Sequence, residues 1–192
     1  MVEDVLRAAL EEIGRVGYEA LRFEDVATRS GVNKTTIYRR WPTKIELVGA
    51  ALGTLMQPGE QPDTGSVRLD LLELLRAIVK RAESPLGRGL FKMMQNEATH
   101  PDVLRVKRQL HADHVRARGI VVERAIERGE LPDDTDADLV VELVFSPVIR
   151  RVINGLTPAD EEFLEAAIDV VLAGARAGAA HRRAPRPKAL GL

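Results

Sequence analysis

Apolar residues recur at intervals of three and four along almost the whole chain, and no stretch alternates them residue by residue. That rhythm restricts the fold to helices packed on helices. In residues 2–16, Val5, Leu6, Ala9, Leu10, Ile13 and Val16 share one helical face. Gly17 stands where a helix can close in a left-handed conformation. Residues 23–30 form a short second helix with Val26 and Ala27 facing inward. Gly31-Val32 makes a tight turn, and Asn33 caps a third helix over 34–40. Trp41-Pro42 ends it, because proline disfavours helical backbone in the residue before it. Thr43 and Glu46 are spaced as a capping box for a fourth helix running to about residue 56.

Residues 57–66 hold two prolines and two glycines and mark a boundary. Beyond it the periodicity predicts helices over 67–83, 86–98, 101–128, 136–154 and 158–178, about nine in all. Pro85, Pro101, Pro132 and Pro158 fall near helix starts, and Pro147 inside the eighth should bend it. Residues 181–192 lack periodicity and read as a disordered basic tail. The expected division is therefore a first domain over 1–56, a linker over 57–66, a larger helical domain over 67–180, and the tail.

Composition removes several classes. The chain has 192 residues, no cysteine and 30% charged residues. Disulfides, thiolate metal sites and cysteine nucleophiles are excluded. The most apolar stretches, 139–149 and 166–175, are interrupted by Glu142 and Asp169 and are too short to span a bilayer. The N-terminus lacks the basic and apolar regions of a signal peptide. The expectation is a soluble, cytoplasmic chain without a membrane partner.

The net charge of −1 hides a pattern. Residues 33–45 contain Lys34, Arg39, Arg40 and Lys44 and no acid, whereas residues 58–180 carry 16 basic and 21 acidic residues. A basic island on an acidic body suits local contact with a polyanion. Aromatic residues make up only 4%, which argues against a base-stacking surface.

Helix, glycine turn, helix is the geometry of the helix-turn-helix. Ala27 is small where the two helices cross, and Gly31 can adopt the positive φ of the turn. Val32 and Ile37 anchor the second helix of the pair. Its remaining face is Lys34, Thr35, Thr36, Arg39 and Arg40. A helix pinned on one side that offers hydroxyls and cations on the other can lie in a major groove.

The run Gly17-Tyr18-Glu19-Ala20, Phe23-Glu24-Asp25-Val26-Ala27, Ser30-Gly31-Val32-Asn33-Lys34, Thr36-Ile37-Tyr38-Arg39-Arg40-Trp41-Pro42-Thr43-Lys44 and Leu47 resembles the N-terminal domain of the tetracycline-repressor (TetR) family. Asp63-Thr64-Gly65-Ser66, Asp70-Leu71, Arg128-Gly129-Glu130-Leu131 and Ser146-Pro147 resemble the C-terminal domain of an actinobacterial-type subgroup. The resemblance implies an all-α chain, with a helix-turn-helix domain followed by a helical ligand-binding and dimerisation domain. It implies DNA-contacting roles for Arg22, Asn33, Lys34, Thr35, Thr36, Tyr38, Arg39 and Lys44. Lys34, Thr35 and Thr36 would read base edges and nearby phosphates. Tyr38 would donate its hydroxyl to a phosphate. Lys44, at the start of the fourth helix, would hold an anion together with the helix N-terminus. Trp41 closes the core. Two features depart from the family pattern. Leu21 and Arg22 stand where relatives have Thr or Ser, so the second helix needs another cap. No basic arm precedes the first helix.

The family's pocket lies among the fifth to eighth helices, which makes Phe91, Met94, Gln95, His111, His114 and Phe145 candidate ligand contacts. His111 and His114 share a helical face, but a pocket role fits them better than a metal. Asp134, Asp136 and Asp138 do not make a calcium loop, because Leu139 and Phe145 occupy the positions that need Gly and Glu. Thr135 or Asp136 as a helix cap accounts for them. Gly87-Arg88-Gly89 is no dinucleotide fingerprint. Arg40 is expected in a surface ion pair. No cofactor, metal or catalytic constellation is expected.

The last two helices carry more apolar surface than one core needs. In the last, Phe163, Leu164, Ala167, Ile168, Val171 and Leu172 make one face, and Ala166, Val170, Ala173, Gly174 and Ala177 a second. A second face implies a partner copy. The expectation is a homodimeric regulator, a repressor released by a small-molecule effector, bound to a near-palindromic operator. Residues 86–98 would act as the lever. The alternative is a helical small-molecule-binding protein that has lost specific DNA binding.

Overall fold

The computed structural model describes residues 1–56, 59–84, 86–87, 100–155 and 157–181. Eight helices lie among them: α1 Val2–Ala20, α2 Phe23–Ser30, α3 Lys34–Arg40, α4 Lys44–Met56, α5 Val67–Glu83, α6 Pro101–Glu127, α7 Ala137–Asn154 and α8 Glu161–Arg176. No strand occurs among the described residues. The helix expected over 86–98, with Phe91, Met94 and Gln95, lies outside them but for its first two residues. Residues 182–192 also lie outside them.

The chain forms two compact units, Met1–Gly59 with Val79–His114, and Glu60–Ile78 with Val115–Leu192. One boundary falls inside the Pro- and Gly-rich segment. The others cut α5 and α6, so each of these helices contributes to both units.

The first unit is built around α1. Its periodic face buries Val5, Ala9 and Ile13 against Val26, Ile37, Trp41, Leu47, Val48, Ala51 and Leu52, with Val103 of α6 joining the cluster. Each buried Val, Leu or Ile side chain among them contributes roughly 1.5–3 kcal/mol on removal from water. Gly17 breaks α1 with φ 82° and ψ 177°, so the regular helix closes at the glycine and Tyr18–Ala20 make a separate turn. Glu12 is buried on α1. It accepts hydrogen bonds from Arg15 and from Arg29 Nη2 at 3.2 Å, which ties α1 to α2. The Arg15 guanidinium, with Arg29 beside it, holds the Glu12 carboxyl below its usual range although burial pushes the other way.

In the second unit, α7 buries Val140, Val144 and Val148, and α8 buries Leu164, Ile168, Leu172 and Ala175. The opposite face of α8 leaves Ala166, Val170, Ala173 and Ala177 exposed. Arg68 of α5 grips Asp169 at 2.7 and 3.1 Å and Glu165 at 3.3 Å, fastening α5 to α8. Asp136 caps α7 by accepting from Leu139 N at 3.1 Å, and helical backbone runs unbroken through Pro147. α8 starts at Glu161 rather than at residue 158, because Asp160 accepts from Phe163 N at 3.1 Å and so defines the cap. His181 does not belong to a free tail. It bridges to Thr135, while Ala180 O accepts from Asp136 N at 2.7 Å.

Candidate nucleic-acid interface

The turn between α2 and α3 is set by three local interactions. Gly31 takes φ 70°, a conformation that closes α2 and that a side chain would strain. Ser30 Oγ accepts from Val32 N at 3.3 Å. Asn33 Oδ1 accepts from Thr35 N at 2.8 Å, which caps α3. Asn33, a candidate DNA contact, therefore spends its side-chain oxygen on the helix and keeps its amide donors.

α3 is seated by Ile37, which is 1% exposed, and by Trp41 just beyond its end. Lys34, Thr35, Tyr38 and Arg39 are exposed, and their i, i+4 spacing makes one continuous face. Tyr38 lies flat on Phe23, with ring centroids 4.1 Å apart and planes 16° apart. Phe23 is buried, so the tyrosine ring is braced while its hydroxyl makes no hydrogen bond to the described residues. Arg39 makes no ion pair among the described residues.

Thr36 is half-buried and sits apart from that face. It shares a narrow crevice with Val2, Val5, Val32 and Arg40. Arg40, expected in an ion pair, lies instead over the Trp41 ring at 5.5 Å from its centroid. Arg22 is exposed at the N-cap of α2, where no side chain caps the helix.

Both candidate lysines are engaged within the chain. Lys44 donates to Glu19 O at 2.9 Å and Tyr18 O at 3.2 Å, so its ammonium closes the carbonyl end of α1. Lys34 pairs with Glu24 of α2, and its ammonium lies 5.5 Å from the Tyr38 ring centroid. Glu24 holds the Lys34 pKa above its ordinary value, and Lys34 holds that of Glu24 below. Thr43 and Glu46 make the expected reciprocal cap, Glu46 N to Thr43 Oγ1 at 3.4 Å and Thr43 N to Glu46 Oε2 at 3.3 Å.

The ligand candidates divide between the two units. On α6, His111 is exposed and His114 is buried. Both lie in the first unit. Phe145 is buried in the second unit, with the Arg118 guanidinium 4.2 Å from its ring centroid. Among the described residues, no group of three or more His, Cys, Asp or Glu could hold a metal ion. No described helix is long and apolar enough to cross a membrane.

A small helical core that seats one short helix and exposes its hydroxyls and cations defines a helix-turn-helix DNA-binding module. The family described as "Bacterial regulatory proteins, tetR family" matches residues 5–51, and "Tetracyclin repressor-like, C-terminal domain" matches residues 61–171. The HTH-type transcriptional regulator AqdR of Rhodococcus erythropolis is 36% identical over 140 residues, covering 72% of this chain and 68% of that protein. The DNA-binding transcriptional repressor TetR of Mycobacteroides abscessus is 32% identical over 173 residues, covering 88% of this chain and 90% of that protein. Among solved structures, the TetR family transcription regulator SCO0332 is similar with a TM-score of 0.69 and 32% identity, over 90% of this chain and 96% of that one. The chain belongs to the TetR family of helix-turn-helix transcriptional regulators.

Proposed function

We propose that this regulator is a cytoplasmic, ligand-responsive repressor that binds a near-palindromic operator as a homodimer. The observation that carries the reading is the exposed face of Lys34, Thr35, Tyr38 and Arg39 on a helix seated by Ile37 and Trp41. Thr35 and Lys34 approach base edges. Tyr38, braced by Phe23, delivers its hydroxyl to a phosphate, and Arg39 and Arg22 add charge. Lys44 presents its remaining proton beside the N-terminus of α4, and the Asn33 amide completes the set. Thr36 acts from the flank. No step in this role makes or breaks a covalent bond.

Dimerisation uses the exposed small-residue face of α8 together with exposed Leu143 of α7. Twofold symmetry then sets two recognition helices ~34–36 Å apart on one face of the duplex. An apolar or amphipathic effector binds the larger domain near Phe145 and favours a conformation that no longer fits DNA. Release requires different effector affinities for the two states.

Fluorescence anisotropy with duplexes tiled upstream of the protein's own gene, each against a scrambled duplex at two salt concentrations, tests the reading. A fragment bound ~10³-fold tighter than the scramble supports it. Equal, weak and steeply salt-dependent binding to every fragment and to a random-sequence pool overturns it in favour of a ligand-binding protein without operator recognition.

A further inference from the structure

Glu24 is an acid at the reading edge of an otherwise cationic and hydroxylated face. It stands in the first turn of α2, and its carboxylate accepts from the ammonium of Lys34, the first residue of α3. Both side chains remain exposed, at 56% and 45%. Stability does not account for the arrangement, since exposed pairs of this kind contribute little. Nor does general affinity for a polyanion, because a carboxylate there repels phosphates. A glutamate carboxyl is ionised at neutral pH in any case, and Lys34 lowers its pKa further.

A carboxylate facing a major groove gains only where a base presents an amino group, and cytosine N4 is one such donor. Lysine is suited to guanine, which offers O6 and N7 as adjacent acceptors. A G·C pair thus presents two acceptors followed by a donor across its groove edge. Lys34 has two protons left beyond the one given to Glu24, and Glu24 has a second oxygen. An ammonium beside a carboxylate has the complementary order. An A·T pair places its donor between two acceptors and fits that order less well.

We propose that Glu24 and Lys34 act as one recognition unit that reads a G·C pair in each operator half-site, Glu24 accepting from cytosine N4 while Lys34 donates to guanine. Glu24 also lowers binding to non-operator DNA. The inference rests on the operator-binding role proposed above.

Selection from a library of random duplexes with the full chain tests it. The comparison uses the wild type, Glu24→Gln and Glu24→Asp, each checked for an unchanged thermal midpoint. The wild type should enrich a symmetric motif. Glu24→Gln should lose about tenfold of its preference at one G·C pair per half-site, keep every other position, and bind scrambled duplexes a few-fold tighter. Glu24→Asp, shorter but still charged, should lose the same preference without the gain on scrambled DNA. An unchanged motif in Glu24→Gln overturns the proposal, as does an altered position that is A·T in the wild-type motif. A wild type that enriches no motif overturns the operator-binding role itself and this unit with it.

Discussion

Tyr18 donates its phenol hydroxyl to Asp102 at 3.1 Å, joining residues 84 positions apart. The His100 ring packs edge-on against the Tyr18 ring at 4.7 Å, and His100 Nε2 lies 2.9 Å from Glu19 Oε1. The end of α1 is thereby fastened to the start of α6. Burial, reinforced by the Asp102 carboxylate, pushes the Tyr18 phenol up to about 12. An unfolded tyrosine ionises near ~10, so the stabilisation from this bond is complete below that pH and is lost as pH climbs toward the folded value. Tyr18→Phe should cost about 1 kcal/mol at neutral pH. The gap between wild type and variant in urea unfolding should narrow between pH ~10 and 12. A gap that stays constant to high pH means that the phenol is not held in this way.

Lys44 joins the same end of α1 from the other side, through Tyr18 O and Glu19 O. Two effects are therefore expected of Lys44→Met, which keeps the aliphatic stem. Stability should fall by about 1 kcal/mol from the lost charged hydrogen bonds. Operator affinity should fall on every sequence, with the salt slope flatter by about one unit. A stability loss with an unchanged slope would make Lys44 purely a helix-end clamp.

The stack of Tyr38 on Phe23 separates packing from recognition. Tyr38→Phe keeps the ring pair, so the unfolding midpoint should hold while affinity falls equally on all operator variants. Phe23→Ala removes a buried ring and should cost about 3 kcal/mol. Anisotropy titrations alongside thermal melts distinguish the two. Sequence-dependent losses from Tyr38→Phe would show that its hydroxyl meets a base instead of a phosphate.

The helix-turn-helix was legible because short-range chemistry fixes it. Gly31, Asn33 and the Thr43/Glu46 pair each act within a few residues, and the apolar spacing of α1 says which face is buried. Periodicity does not say which polar groups meet across the fold. Lys44 on the α1 carbonyls, Glu12 between two arginines, and Glu24 on Lys34 depend on how helices pack, and the basic island alone left out the acid that faces it. The start of α8 was misplaced for a local reason: Pro158 and Asp160 both signal a beginning, and the hydrogen bond accepted by Asp160 decides it. The pairing of His181 with Thr135 needs the chain to return over 46 residues and leaves no pattern in the tail.

Asp70 is wholly buried, and its Oδ1 accepts from Thr64 N and Thr64 Oγ1, both at 2.7 Å. Arg128 Nη2 stands 3.6 Å from the other oxygen and also pairs with Glu130, Arg128 Nη1 pairs with Asp63, and Glu130 accepts from Val67 N at 3.0 Å. The start of α5 is thus clasped to the end of α6. Asp70→Asn places an amide nitrogen toward Arg128 or toward the Thr64 donors, and either choice leaves a buried group opposed. It should cost about 3 kcal/mol in urea unfolding. A loss within experimental error would show that the buried carboxylate is not required as an anion.

Val170 is 73% exposed in the middle of α8, flanked on the same face by Ala166, Ala173 and Ala177. In an isologous dimer every residue near the axis meets its own copy or a close neighbour, so one charge is introduced twice. Val170→Glu should therefore halve the mass measured by light scattering at micromolar concentration. The midpoint of the isolated fold should move little, because the side chain faces away from the Leu164, Ile168 and Leu172 core. Operator affinity should collapse with the dimer, since one half-site contact replaces two and the effective concentration of the second is lost. A variant that remains dimeric and binds DNA as the wild type does would place the self-association surface elsewhere on the chain.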